Sequence, residues 1–188
     1  MSNRFNFIPT PLNGLYRVER KLIEDQRGFL SRLFCADDFK EIGFGKPIVQ
    51  VNHTLTHKKG VIRGMHFQNS PQTEAKIITC THGEVFDVVV DLRKDSATFL
   101  KWHSEILNAD NQFSLFIPEG FAHGFQTLSK DCNLIYMHSG FFSPDSEDAI
   151  NALDPRLAIS WPLNIVEMSE RDKNNPMIKD VYKGIEII

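Results

Sequence analysis

The chain has 188 residues, 41% of them hydrophobic, which suits one domain with a sizeable core and would cramp two. A formal charge of -3 and a pI near 6.2, with Lys and Arg scattered among Asp and Glu, argue against a nucleic-acid partner. No apolar run approaches the ~20 residues of a membrane span, and residues 1–11 lack a basic start followed by an apolar signal core, so a cytoplasmic protein without a membrane partner is expected. Cys35, Cys80 and Cys132, odd in number and far apart, read as reduced thiols rather than as a disulfide framework or zinc ligands.

In chain order, residues 14–19 and 28–34 read as strands on either side of the polar turn at 24–28. Residues 36–43 carry early Asp37 and Asp38, apolar Phe39 and Ile42, and a closing Gly43, which predicts a short helix. Residues 48–56, 61–68, 75–81, 85–91, 102–107, 114–117, 124–128 and 133–137 are short, rich in Val, Ile, Phe or Thr, and bounded by turn formers; each predicts a strand. Many short strands without helical periodicity between them predict an all-β sandwich or barrel in a single domain spanning 1–188. From Ser143 onward, turn dipeptides replace strand patterning and predict ordered loops wrapped on the barrel. Ser169 is placed to cap one terminal helical turn, which Pro176 stops.

The segment Gly60-Val-Ile-Arg63-Gly64-Met65-His66-Phe67-Gln68 puts a cation, a glycine and an imidazole into what otherwise reads as a buried strand. A packed core needs none of these, so His66 is expected to be a catalytic base, with Arg63 holding an anionic substrate beside it. Pro118-Glu-Gly120-Phe-Ala-His123 has a spacing similar to the second motif of cupins, which are small jelly rolls. Metal-binding cupins need a second histidine two residues past the first, and here that position is Gln68. A metal held by His66, Glu74 and His123 is thereby disfavoured, and no metal is expected. Taken alone, Arg27 reads as an exposed turn arginine, Lys76 as an edge lysine, Tyr136 as a core tyrosine and Asp172 as a capping carboxylate.

Four stretches in collinear order, Arg63-Gly-Met-His-Phe-Gln68, Gly83-Glu-Val-Phe-Asp-Val-Val-Val-Asp-Leu-Arg93, Ile117-Pro-Glu-Gly-Phe-Ala-His-Gly-Phe125 and Trp161-Pro162, resemble the dTDP-4-dehydrorhamnose 3,5-epimerase family. The resemblance implies a cupin-like jelly roll with short peripheral helices, working without cofactor as a homodimer in which strands of one subunit help complete the other's site. It implies a nucleotide-diphosphate sugar as substrate, in cell-surface polysaccharide or glycosylated-metabolite synthesis. The C4 ketone of a 4-keto-6-deoxy sugar acidifies the hydrogens on C3 and C5, so inversion needs a base and an acid on opposite faces of the ring.

His66 matches the family's base, Tyr136 its acid, Asp172 the carboxylate paired with the base, and Lys76 the cation facing the enolate oxygen. Arg27, Gln50, Asn52, Arg63, His123, Phe142, Glu147 and Arg171 fall on substrate-binding positions, Phe142 where an aromatic ring stacks on the nucleobase. Departures occur at Arg32, where the family carries a carboxylate, at Val51 between Gln50 and Asn52, and at Met137. They leave open dTDP, CDP or GDP as the nucleotide, and inversion at C3, C5 or both. A metal-dependent cupin enzyme and a non-catalytic sugar-nucleotide-binding jelly roll are the alternatives from other classes.

Overall fold

The structure, a computed structural model, describes residues 4–187. Its strands are β1 (Phe5–Pro9), β2 (Tyr16–Arg20), β3 (Ile23–Asp25), β4 (Gly28–Leu30), β5 (Gln50–Thr56), β6 (Ile62–Gln68) and β7 (Lys76–His82). They continue as β8 (Glu84–Asp91), β9 (Trp102–Asn108), β10 (Phe113–Ile117), β11 (Phe121–Thr127), β12 (Cys132–His138) and β13 (Glu147–Ala149). Two single-turn helices, α1 (Ala36–Phe39) and α2 (Glu170–Lys173), flank them. A six-stranded sheet in the order β1-β2-β10-β7-β12-β5 faces a five-stranded sheet in the order β13-β6-β11-β8-β9, and β3 pairs only with β4.

Side-chain alternation along these strands divides the space between the sheets into two halves. Ile78, Cys80, Val85, Val89, Leu115, Phe121, Phe125 and Leu134 point into a fully apolar cluster. The same period of two, carried along the same strands, brings Lys76 of β7, Asp87 of β8, His123 of β11, and Tyr136 and His138 of β12 to the interior. The interior is therefore apolar at one end and polar at the other. Strand β8 reads as a continuous apolar run because its outer residues are covered too. Val88 and Val90, with Met65 and Phe67 of β6, lie under Ile150, Leu157, Met168 and Ile178 of the C-terminal segment. Trp102 and Trp161 pin that segment by donating their indole N–H groups to the carbonyls of Leu157 and Ala152, at 3.0 and 2.9 Å.

Several boundaries differ from expectation. The turn expected over 24–28 narrows to Gln26 and Arg27, because Glu24 and Asp25 pair as β3 with Phe29 and Gly28 of β4. The strand expected over 28–34 stops at Leu30, since Phe34 and Cys35 turn into the aromatic cluster around Phe39. The helix expected over 36–43 is one α-turn, continued by a 3₁₀ turn at Lys40–Ile42 before left-handed Gly43. β1 was not foreseen, β11 begins at Phe121 rather than 124, and the C-terminal segment contains β13 as an edge strand on β6. Ser169 does cap α2, accepting from the Asp172 amide at 3.0 Å.

One irregularity decides what the site contains. In β6, Ile62 and Met65 both face the outer cluster, whereas Arg63 and His66 both line the interior cavity. Strict alternation forbids residues three apart from sharing a face, so the parity must switch at Gly64. The pairing of β11 with β6 shifts there, with His123 opposite His66 but Phe125 opposite Arg63, leaving one extra residue in β6. Gly64 has φ +134, and a Cβ on it would lie 2.5 Å from the Cα of Gly124 and 2.9 Å from the His123 carbonyl oxygen. Gly64→Ala is therefore expected to destabilise the fold by about 3 kcal/mol or more in chemical denaturation. Gly45→Ala, where a Cβ meets nothing within 4 Å, is expected to stay within about 0.5 kcal/mol of wild type.

Candidate active site

The polar half of the interior opens into a cavity of about 210 Å³. One sheet lines it with Arg63, His66 and Gln68 of β6 and His123 of β11; the other contributes Gln50 and Asn52 of β5, Lys76 of β7, and Tyr136 and His138 of β12. Phe142 and Glu147 close its edge. A second cavity of about 440 Å³ adjoins it, with Arg63 and His66 lining both.

His66 and Asp172 form a tight pair, Nε2 lying 2.7 Å from Oδ1. Asp172 is buried, and burial works against its charge, but His66, the Gly64 amide and the Ser169 cap together hold its carboxyl below the usual range. The ionised carboxylate only accepts, so His66 donates from Nε2 and keeps Nδ1 as its basic nitrogen. With the sign of that shift, the pair's contribution to stability is complete above the unfolded carboxylate value of roughly 4 and fades as pH falls through the lowered folded value.

Tyr136 stands on the opposite sheet. Burial pushes its phenol above the ordinary range, the buried Asp87 charge adds to this, and the Thr54 hydroxyl and Arg63 oppose it without winning. At neutral pH the group is a protonated donor. Its ring meets that of His123 edge-on at 5.9 Å, and His123 Nε2 lies 2.9 Å from both carboxylate oxygens of fully buried Asp87. Lys76 is buried, 3.2 Å from Glu74 and 3.4 Å from the His66 carbonyl. Glu74 also binds His138 Nδ1 at 2.9 Å.

The three donors of the metal reading do not converge: His66 is held by Asp172, His123 by Asp87, and Glu74 by Lys76 and His138. Among the described residues no group of three or more His, Cys, Asp or Glu side chains is placed to hold a metal ion. Gln68 has a different task. Its amide N–H groups bond the carbonyls of Gln72 and Phe141, and its oxygen accepts from the Ser143 amide at 2.7 Å. It therefore clamps the loop that carries Phe142, whose own amide bonds Gln50 at 3.1 Å.

The structure thus brings together His66, Tyr136, Asp172, Lys76, Gln50, Asn52, Arg63, His123, Phe142 and Glu147. Arg171 sits at the rim, paired with Glu147 at 2.9 Å and lining the second cavity. Arg27 is the exception: it lies on the exposed β3–β4 turn, paired with Asp25 and lining neither cavity. Arg32, the departure nearest to it, is 3.5 Å from Asp38. Sequence reasoning missed Asp87 and His138. The signal for Asp87 was a carboxylate inside an apolar strand, and for His138 its position two residues beyond Tyr136, on the same face.

A family model described as dTDP-4-dehydrorhamnose 3,5-epimerase matches residues 9–180. The chain is 40% identical over 173 residues to the dTDP-4-dehydrorhamnose 3,5-epimerase of Salmonella typhimurium, covering 91% of this chain and 94% of that one. It is 36% identical over 168 residues to the dTDP-4-dehydrorhamnose 3-epimerase of Streptomyces niveus, covering 88% and 80%. Its structure is similar to the crystal structure of dTDP-6-deoxy-D-glucose-3,5-epimerase from Legionella pneumophila Philadelphia 1 in complex with dTDP-4-keto-L-rhamnose. There the TM-score is 0.91 at 38% identity, with 98% of this chain and 99% of that one covered. The two facing sheets are the cupin-like jelly roll expected from the sequence. With fold and sequence matching along most of its length, the chain belongs to the dTDP-4-dehydrorhamnose 3,5-epimerase family of isomerases.

Proposed function

We propose that this chain is a 3,5-epimerase of nucleotide-diphospho-4-keto-6-deoxy sugars, of the type that converts dTDP-4-dehydro-6-deoxyglucose to dTDP-4-dehydrorhamnose. The observation that carries this reading is the placement of His66 and Tyr136 on opposite sheets across one cavity. A sugar ring held between them meets a base on one face and an acid on the other, which is what inversion at a carbon next to a ketone requires.

In this mechanism His66 removes the proton from the carbon beside the C4 ketone through Nδ1. Asp172 stabilises the imidazolium as it forms. Charge develops on the ketone oxygen, where the Lys76 ammonium is already placed, so its attraction is strongest in the transition state. Tyr136 then delivers a proton to the opposite face. Arg63, between the two cavities, suits the diphosphate through its forked donors, and the adjoining space accommodates more than a monosaccharide. The Streptomyces niveus relative, named a 3-epimerase, supports inversion at C3 alone as the second reading.

The active form in this reading is a homodimer. Arg27 stands on a projecting hairpin beside exposed Phe29 and Leu30, and Val51 and Leu55 are exposed on edge strand β5. A hairpin that lines neither cavity of its own chain is placed to contribute its arginine to a partner's.

In heavy water, deuterium uptake at C3 and C5 is expected from one of the dTDP, CDP or GDP 4-keto-6-deoxy sugars, read by NMR. No uptake from any of them overturns the reading. His66→Ala is expected to abolish exchange, Tyr136→Phe to exchange without inverting, and Asp172→Asn to slow exchange by about 10²–10⁴-fold. Arg27→Ala, poorly active alone, and His66→Ala, inactive alone, are expected to regain activity when mixed and re-associated. Failure to do so, with dimers formed, would count against a shared site.

A further inference from the structure

Lys76, Glu74 and His138 form a second charged group in the cavity, apart from the His66–Asp172 pair. Glu74 binds Lys76 Nζ through Oε1 at 3.2 Å and His138 Nδ1 through Oε2 at 2.9 Å, so one carboxylate holds both side chains. Burial opposes the charge on Glu74, but His138 and Lys76 prevail and hold its carboxyl below the usual range. Nδ1 of His138 is therefore the donor to Glu74, and Nε2 is left as an acceptor. Its neighbour at Nε2 is the Asn52 side-chain amide nitrogen, at a weak 3.4 Å. The imidazole lies parallel to the Tyr136 ring, at 10° and 6.2 Å, on the same wall of the cavity.

We propose that His138 is a specificity-determining residue, its Nε2 accepting a hydrogen bond from the sugar hydroxyl on the carbon next to the ketone, with Glu74 as its positioning residue. This rests on the function proposed above, in which Lys76 faces the ketone oxygen. Glu74 keeps the imidazole on the cavity wall that carries Lys76, and Nε2 is turned away from it toward Asn52, another lining residue, where a substituent next to that oxygen would compete for it. On a 4-keto-6-deoxy ring the neighbouring substituents are the 3-hydroxyl and the C6 methyl. Only the hydroxyl has a proton to donate to nitrogen. The contact also orients the substituent on C3, one of the two carbons whose proton is removed.

The test compares a 4-keto-6-deoxy sugar nucleotide with its 3-deoxy counterpart, using deuterium uptake at C5 as the activity common to both. His138→Phe retains a ring against Tyr136 and removes the acceptor. It is expected to lower kcat/KM by roughly tenfold more on the hydroxylated substrate than on the 3-deoxy one, the size of one lost hydrogen bond. His138→Ala should show the same discrimination, which guards against misfolding of either variant. Glu74→Ala, which also releases Lys76, is expected to lose activity on both substrates but more on the hydroxylated one, as the His138 variants do, and Glu74→Gln, still able to accept from Nδ1, to recover that difference. Equal losses on both substrates, or no loss on either, would overturn the contact while leaving the epimerase reading intact. A wild-type protein that exchanges neither substrate would overturn both.

Discussion

Everything in the site depends on two backbones touching at Gly64 and Gly124. Neither position tolerates a Cβ: at Gly124 one would fall 2.8 Å from the Arg63 carbonyl oxygen and 2.6 Å from the Met65 sulfur. The close approach inserts one extra residue into β6 opposite β11, and this turns both Arg63 and His66 inward while Ile62 and Met65 stay in the outer cluster. A guanidinium and an imidazole, three residues apart, then line one cavity. The outer cluster in turn anchors the C-terminal segment, and that segment brings Asp172 to within 2.7 Å of His66. A local backbone defect thus links core packing to the tautomer of His66.

Three imidazoles in the polar half are each held by a carboxylate, with different consequences. Asp172 is ionised and sits behind the partly exposed His66, which leaves that ring a free basic nitrogen facing the cavity. Asp87 is fully buried, and burial pushes its carboxyl up against the pull of His123. Both of its oxygens are engaged by one ring nitrogen, an arrangement that fixes the His123 ring and its edge-on contact with Tyr136. Glu74 is shared between a cation and an imidazole, so it fixes two groups at once. The same pair of residue types gives a partly exposed ring, a rigid wall and a two-armed support, according to burial and neighbours.

Much of this was legible residue by residue. The strand periodicity from 48 to 137 marked an all-β sandwich, because alternating burial leaves a period of two in the sequence. The arginine, glycine and imidazole at 63–66 stood out because a core strand has no use for them. The Pro118–His123 turn likewise pointed to a cupin-like barrel, whereas Gln68 was read only as a missing histidine and its task as a loop clamp did not show. β1, β3 and β13 did not show either: they are short strands whose hydrogen-bond partners, rather than their own patterns, make them strands.

By itself, the sequence determined the architecture and the chemical inventory: inward-facing residues of each strand, the cations, imidazoles and phenol, and the membership of the chain in its family. These are local or collinear properties, carried by periodicity and by motifs. The family resemblance paired Asp172 with His66, but only the tertiary structure decided the contact itself and joined Glu74 and Asp87 to their imidazoles. Asp172 lies 106 residues from His66, Glu74 lies 64 from His138, and Asp87 lies 36 from His123, so no spacing rule connects them. It is the antiparallel pairing of distant strands and the packing of the C-terminal segment on the outer face that bring each carboxylate to its imidazole. The same packing leaves Arg27 outside, on a hairpin whose position relative to the cavity no local pattern encodes.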